Sequence, residues 1–134
     1  MERIFVDTSA WIAYANRADP DHARVRDLLR SFRGRRITSN FVFDETVTFC
    51  RYRFGHELAA DIGNALLDAR VADLIRVTAD DERQAWLLMV GRPDQRYSFT
   101  DCTSFALMRR LRLRTVAALD QHFRTERFEV VPVV

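Results

Sequence analysis

Arg3-Ile4-Phe5-Val6-Asp7-Thr8-Ser9-Ala10-Trp11 opens the chain and decides how the rest of it is read. Ile4, Phe5 and Val6 form an apolar run without polar alternation. That is the pattern of a strand buried on both faces, as in a parallel sheet. Asp7 ends the run, and Thr8 and Ser9 supply helix-start chemistry before Ala10, Trp11 and Ile12. In open α/β sheets, ligands bind at the carboxyl ends of the strands. An acid at such an end, beside hydroxyls, either holds a hard cation or simply caps the next helix.

Working outward, Ser9 to Ala18 reads as a first helix. Asp19-Pro20 breaks it and starts a second, with Val25, Leu28, Leu29 and Phe32 as its stripe and Gly34 as its end. A short strand follows over Arg36 to Ser39. Asn40 caps a third helix from Phe41 to Phe54, closed by Gly55, and a fourth runs from His56 to Arg70. A strand lies within Ala72 to Thr78. Thr78 caps a fifth helix, with Trp86, Leu87, Met89 and Val90 as its apolar set. Ser98 opens a sixth helix to about Arg112. Thr115 to Leu119 is a second unalternated strand, ending on Asp120, and a short turn through His122 and Phe123 follows. Glu129 to Val133 is the last strand, assigned to an edge by Pro132. Strands alternating with helices predict a three-layer α/β domain over 1–134, with a largely parallel sheet of about five strands flanked by helices.

Composition narrows the classes. The 134 residues are 48% hydrophobic and 30% charged with a net charge of +2, which is globular and neither strongly acidic nor strongly basic. All 21 basic residues are Arg. Arg suits bidentate phosphate recognition, but GC-rich coding gives the same bias. The stretches Arg24 to Arg36 and Arg109 to Arg114 are either phosphate-tracking clusters or solvated helix faces. Cys50 and Cys102 show no CxxC or Cys/His spacing, which argues against zinc and for reduced core thiols. There is no basic-then-apolar leader and no apolar run of membrane-spanning length, so a cytoplasmic protein without membrane association is expected.

The acids carry the chemistry. At 100° per residue, Phe41, Val42, Phe49 and Tyr52 of the third helix share an arc with Glu45 inside it, while Asp44 points the opposite way. A carboxylate on an apolar face needs a partner, either an arginine or a metal. Asp101 lies in the first turn of the sixth helix, in line with Phe105 and Met108. Ser98-Phe99-Thr100-Asp101 also fits a capping box, with Asp for the usual Glu. Asp120 ends its strand as Asp7 ends the first. A parallel sheet brings these four positions to one edge. Four carboxylates there repel one another unless cations neutralise them. An all-oxygen donor set favours Mg²⁺ or Mn²⁺.

Asp7-Thr8-Ser9, Thr38-Ser39 ahead of Glu45, Ser98-Phe99-Thr100-Asp101-Cys102 and Ala118-Leu119-Asp120-Gln121-His122-Phe123 occur in an order that resembles the PIN-domain proteins, and among them the VapC toxins of type II toxin–antitoxin pairs. The resemblance spans the chain. It implies a Mg²⁺- or Mn²⁺-dependent endoribonuclease acting on RNA, with Asp7, Glu45, Asp101 and Asp120 as catalytic metal-site acids. The family's hydroxyl beside the first acid falls on Thr8 or Ser9, and Thr100 is a further supporting hydroxyl. The resemblance also implies a VapB-like antitoxin and a homodimer. His122 reads as a local packing or capping residue near Asp120, and Trp11 and Trp86 as core.

Two other readings, one an enzyme and one not, fail on residue type. A haloacid-dehalogenase phosphatase needs a second Asp where Ser9 stands, and both it and a receiver domain need a Lys, of which the chain has none. A PIN-like RNA- or partner-binding domain without toxin activity is the alternative that a metal-titrated cleavage assay separates.

Overall fold

In the computed structural model, which describes residues 2–132, the parallel sheet predicted from the apolar runs is present. Five strands, β1 (Arg3–Val6), β2 (Arg35–Ser39), β3 (Asp73–Ile75), β4 (Thr115–Ala117) and β5 (Glu129–Val131), lie in the order β3-β2-β1-β4-β5. All four pairings are parallel, with Phe5 opposite both Ile37 and Val116. Ile4, Phe5 and Val6 are fully buried, as a central strand covered on both faces requires. β5 is an edge strand, consistent with Pro132 beside it. Val133, expected to end that strand, lies outside the described residues.

Seven helices flank the sheet: α1 (Thr8–Ala15), α2 (His22–Ser31), α3 (Asn40–Phe54), α4 (His56–Leu66), α5 (Ala79–Gly91), α6 (Phe99–Leu111) and α7 (His122–Thr125). Their limits differ from the sequence reading where short polar side chains capture the backbone. Asn16 accepts from the Ala18 amide and ends α1 early. Asp19 accepts from the Asp21 amide in a turn, so α2 begins at His22 and not at Pro20. Asp68 accepts from the Arg70 amide and stops α4 at Leu66. Ser39, not Asn40, caps α3 by accepting from the Val42 amide at 3.1 Å. Asn40 instead accepts from the Val77 amide, tying α3 to the segment after β3. Gly55, at φ 104°, ends α3 and begins the turn into α4, a conformation other residues adopt only under strain.

Two expected core faces are exposed. On α5 the buried residues are Asp81 and Ala85, whereas Trp86 is 58% exposed, with Leu87 and Val90 beside it. On α3 the core line is Val42, Thr46 and Cys50, while Phe49 and Tyr52 face outward, Tyr52 at 87% exposure. The arc that carries Glu45 therefore runs from the core at Val42 to an exposed rim at Phe49 and Tyr52. Trp11 is fully buried as expected and donates from Nε1 to Thr38 Oγ1 at 3.2 Å, linking α1 to β2.

Candidate metal centre

The strand order reverses between β1 and β4, and in α/β sheets the crevice outside such a reversal is where ligands bind. Asp7 and Asp120 follow those two strands. The Asp7 amide donates to Ala117 O at 3.0 Å, which continues the β1–β4 ladder and sets Asp7 at the seam. Glu45 arrives on α3 after β2, and Asp101 on the first turn of α6. The starts of these two helices are packed through Phe41 and Phe99, edge to face at 5.9 Å. The acids repel one another through Asp101 and Asp120: each of these raises both Asp7 and Glu45, and Asp101 raises Asp120.

Each of three acids commits one oxygen to the protein. Asp7, 2% exposed, caps α1: its Oδ2 accepts from Ser9 Oγ at 2.8 Å and from the Ser9 amide at 3.3 Å. Asp7 Oδ1 is buried and accepts no hydrogen bond. Asp101 completes the α6 capping box, its Oδ2 accepting from the Ser98 amide at 3.0 Å, while its own amide donates to Ser98 Oγ. His122 Nδ1 reaches the same Oδ2 at 2.8 Å. Asp120 Oδ1 accepts from the His122 amide at 3.1 Å. Cap and candidate ligand are thus not alternatives, because a carboxylate has two oxygens.

The electrostatics carry the cost of this arrangement. Burial, then Asp120 and Asp101, push the Asp7 carboxyl well above the ordinary Asp range, and Ser9 only partly offsets them. Asp120 is raised by burial and by Asp101. Glu45 is raised by burial, offset by the facing Thr8 hydroxyl, with Asp101, Asp120 and Asp44 adding to the rise. Among the described residues no arginine pairs with Glu45.

The hydroxyls divide. Ser9 Oγ bridges two strand ends, donating to Asp7 and accepting from the Leu119 amide at 3.0 Å. Thr8 Oγ1 is buried beside Glu45 without a completed hydrogen bond. The Thr100 hydroxyl bonds to none of the four acids among the described residues; its carbonyl accepts from Thr103. The residue that sequence reasoning undervalued is His122. It contacts Asp101 through its ring and Asp120 through its amide, and one ligand atom each from Asp101, Asp120 and His122 fall within 4.8 Å of one another. Its spacing, two residues after Asp120, was the available signal.

The arginine stretches are largely structural. Arg35 pairs with Asp73, and Arg36 donates to the carbonyls of Leu29, Arg70 and Val71. Arg109 pairs with Glu126, and Arg110 with Asp81.

The donor chemistry fits a hard divalent cation. An orphaned buried carboxylate oxygen, mutually repelling acids and an oxygen-rich set are all relieved by one. The PIN domain family model matches residues 4–128. Over 130 residues the chain is 41% identical to the 23S rRNA-specific endonuclease VapC20 of Mycobacterium tuberculosis, covering 96% of this chain and 98% of that protein. It is 29% identical over 136 residues to Ribonuclease VapC26 of the same organism, covering 96% and 100%. The crystal structure of M. tuberculosis VapC20, described as a sarcin-ricin loop cleaving toxin, superposes with a TM-score of 0.88 at 39% identity over 93% of this chain and 95% of that one. This chain belongs to the PIN domain family and resembles its VapC ribonucleases along nearly its whole length.

Proposed function

We propose that the chain is a Mg²⁺- or Mn²⁺-dependent endoribonuclease, the cytoplasmic toxin of a VapBC-type pair, that cuts RNA through Asp7, Glu45, Asp101 and Asp120. The observation that carries the reading is the set of acids at the β1–β4 reversal, three of which tie one oxygen to the protein and leave the other for a ligand. Asp7 Oδ1 and the second oxygens of Asp101 and Asp120 would hold the cation. A carboxylate-bound divalent ion neutralises charge on the phosphoryl oxygens and lowers the pKa of a bound water. Glu45, held proton-affine on a rim open to solvent, orients the incoming water and takes its proton. Ser9 keeps Asp7 aimed, and Thr8 faces Glu45 to steady it. The VapC20 relative is named for 23S rRNA, so a ribosomal RNA loop is the first substrate to try for this chain. Exposed Phe49 and Tyr52, on the same side of α3 as Glu45, offer faces on which splayed bases of such a loop can stack.

The VapC relationship supports a VapB-like antitoxin and a homodimer as partners. The exposed Trp86, Leu87 and Val90 on α5 form an apolar arc suited to a second copy. The decisive experiment incubates the antitoxin-free protein with total RNA and with a sarcin-ricin-loop oligonucleotide under Mg²⁺, Mn²⁺ or EDTA, beside Asp7→Asn and Asp101→Asn. Defined cuts that disappear with EDTA and in both variants are expected. Folded, metal-loaded protein that binds RNA without cutting it would favour a binding domain instead.

A further inference from the structure

His122 stands apart from every other side chain at this site. Its backbone amide donates to Asp120 Oδ1 at 3.1 Å, and its ring Nδ1 lies 2.8 Å from Asp101 Oδ2. One residue therefore spans an acid that follows β4 and an acid on α6, its ring meeting Asp101 from 21 residues further along the chain. An ionised carboxylate only accepts, so the ring nitrogen facing Asp101 carries the hydrogen. That bond falls on the oxygen already held by the Ser98 amide. With both donors on Oδ2, Oδ1 of Asp101 has no hydrogen bond among the described residues.

The ring itself is fixed. It packs edge to face on Tyr97 at 5.3 Å. Tyr97 is buried and donates its hydroxyl to Glu126 at 2.7 Å, and Glu126 also pairs with Arg92 and Arg109. Among the described residues no hydrogen bond or ion pair joins this network directly to the acids at the strand ends. It ends on the imidazole, whose side chain is one-third exposed. A ring held only for packing would not need a donor directed at an acid that its helix cap already satisfies.

We propose that His122 is a positioning residue for the metal centre, its Nδ1–H holding Asp101 so that the free Asp101 oxygen and Asp120 present a preformed pair to a divalent cation. The inference rests on the metal-site reading above and assigns the ring a hydrogen-bonding role, not ligation. Partners that orient metal ligands in this way are worth about 10- to 100-fold in metal affinity.

The test is Mn²⁺ affinity of the full chain by calorimetry, with His122→Ala and His122→Asn. The Asn side-chain nitrogen occupies the place of Nδ1 and keeps the donor, but nothing replaces Nε2. His122→Ala is expected to bind Mn²⁺ about tenfold more weakly, and His122→Asn to return to within about threefold of wild type. Melting in EDTA reports on folding, independently of metal. A second readout needs no variant: the imidazole nitrogen chemical shifts of wild type should show Nδ1 protonated with and without Mg²⁺. Wild-type affinity in His122→Ala overturns the inference and leaves the metal centre standing. Affinity as weak in His122→Asn as in His122→Ala, with both folded, overturns it in favour of ligation through Nε2. An unprotonated Nδ1 overturns it too. Failure of the wild type to bind Mn²⁺ at all removes the metal-site reading, and this inference with it.

Discussion

The Asp7 carboxyl holds its proton more tightly in the folded chain than in the unfolded one, pushed up to about 8 from 3.8 by burial, Asp120 and Asp101. A raised folded-state value means that Asp7 costs the metal-free protein nothing below about pH 4 and takes away stability as pH rises towards 8. Asp7→Asn replaces a carboxyl that must take up a proton on folding by a neutral amide that can still donate to the neighbouring carboxylates. In EDTA at pH 7.5 the variant should therefore be more stable than wild type by on the order of 2–4 kcal/mol and melt higher. It should also lose cleavage. Calorimetry from pH 5 to 8 in EDTA checks this, and a variant that melts lower than wild type throughout would contradict the buried, repelled Asp7. Asp81 and Glu126 behave in the opposite sense. Although burial pushes both up, the Arg110 and Thr78 bonds of Asp81 and the Arg109 and Tyr97 bonds of Glu126 win and hold them below the ordinary range. Their contribution is present at neutral pH and is lost as pH falls through their lowered values.

At the scale of elements, two helices begin with the same device. Thr78 caps α5 in a box closed by Asp81, and Ser98 caps α6 in a box closed by Asp101. What differs is the second oxygen. In Asp81 both oxygens take up Arg110, reaching across from α6 at 2.9 and 3.1 Å. Among the described residues no arginine reaches Asp101. The α5 box consequently locks α5 onto α6, and the α6 box presents an acid. Asp81→Ala should destabilise the fold by about 2 kcal/mol, below the range for a fully buried pair because the Arg110 end keeps water. Cleavage by the folded fraction should persist. Ser98→Ala should cost about 1 kcal/mol, as lost caps do, and should additionally weaken metal binding, because the turn that aims Asp101 loosens. Denaturant midpoints and Mn²⁺ titrations on the two variants separate the locking box from the presenting one. Equal metal affinity in Ser98→Ala and wild type would show that the cap does not position Asp101.

At the scale of the whole molecule, the fold gathers repelling acids at the edge of its most buried strands, so a cation that binds only the folded chain must stabilise it. At a concentration 100-fold above its dissociation constant such a ligand contributes about 2.7 kcal/mol, on the order of 10 °C in melting temperature for a domain of this size. Mg²⁺ and Mn²⁺ should raise the melting temperature of wild type and not of Asp7→Asn, with EDTA reversing the rise; differential scanning fluorimetry is sufficient. The apolar α5 arc makes a second prediction. In the proposed homodimer, Trp86→Glu should lower the mass seen by light scattering from dimer to monomer while leaving the melting curve of the subunit close to wild type, since Trp86 lies outside the core. An unchanged mass would move the dimer surface elsewhere.

Periodicity and residue type in the sequence determined the parallel α/β architecture, because two runs without alternation, Ile4 to Val6 and Thr115 to Leu119, can only be buried on both faces. They also singled out four acids as candidates, because Asp7 and Asp120 follow those runs, Asp101 opens a helix and Glu45 falls on an apolar arc. Local hydrogen bonding decided the helix limits, where Asn16, Asp19 and Asp68 outcompete the helix for backbone amides. Exposure of Trp86 and Tyr52 was not legible, since an apolar arc looks alike whether it meets the core, a partner or a ligand. Thr78-Ala79-Asp80-Asp81 and Ser98-Phe99-Thr100-Asp101 have the same local form. Only the tertiary structure, by bringing Arg110 to one carboxylate and His122 to the other, neutralised the first and left the second an open oxygen beside Asp120. A hydrogen-bonding partner far along the chain is fixed by packing, and spacing along the sequence does not record it.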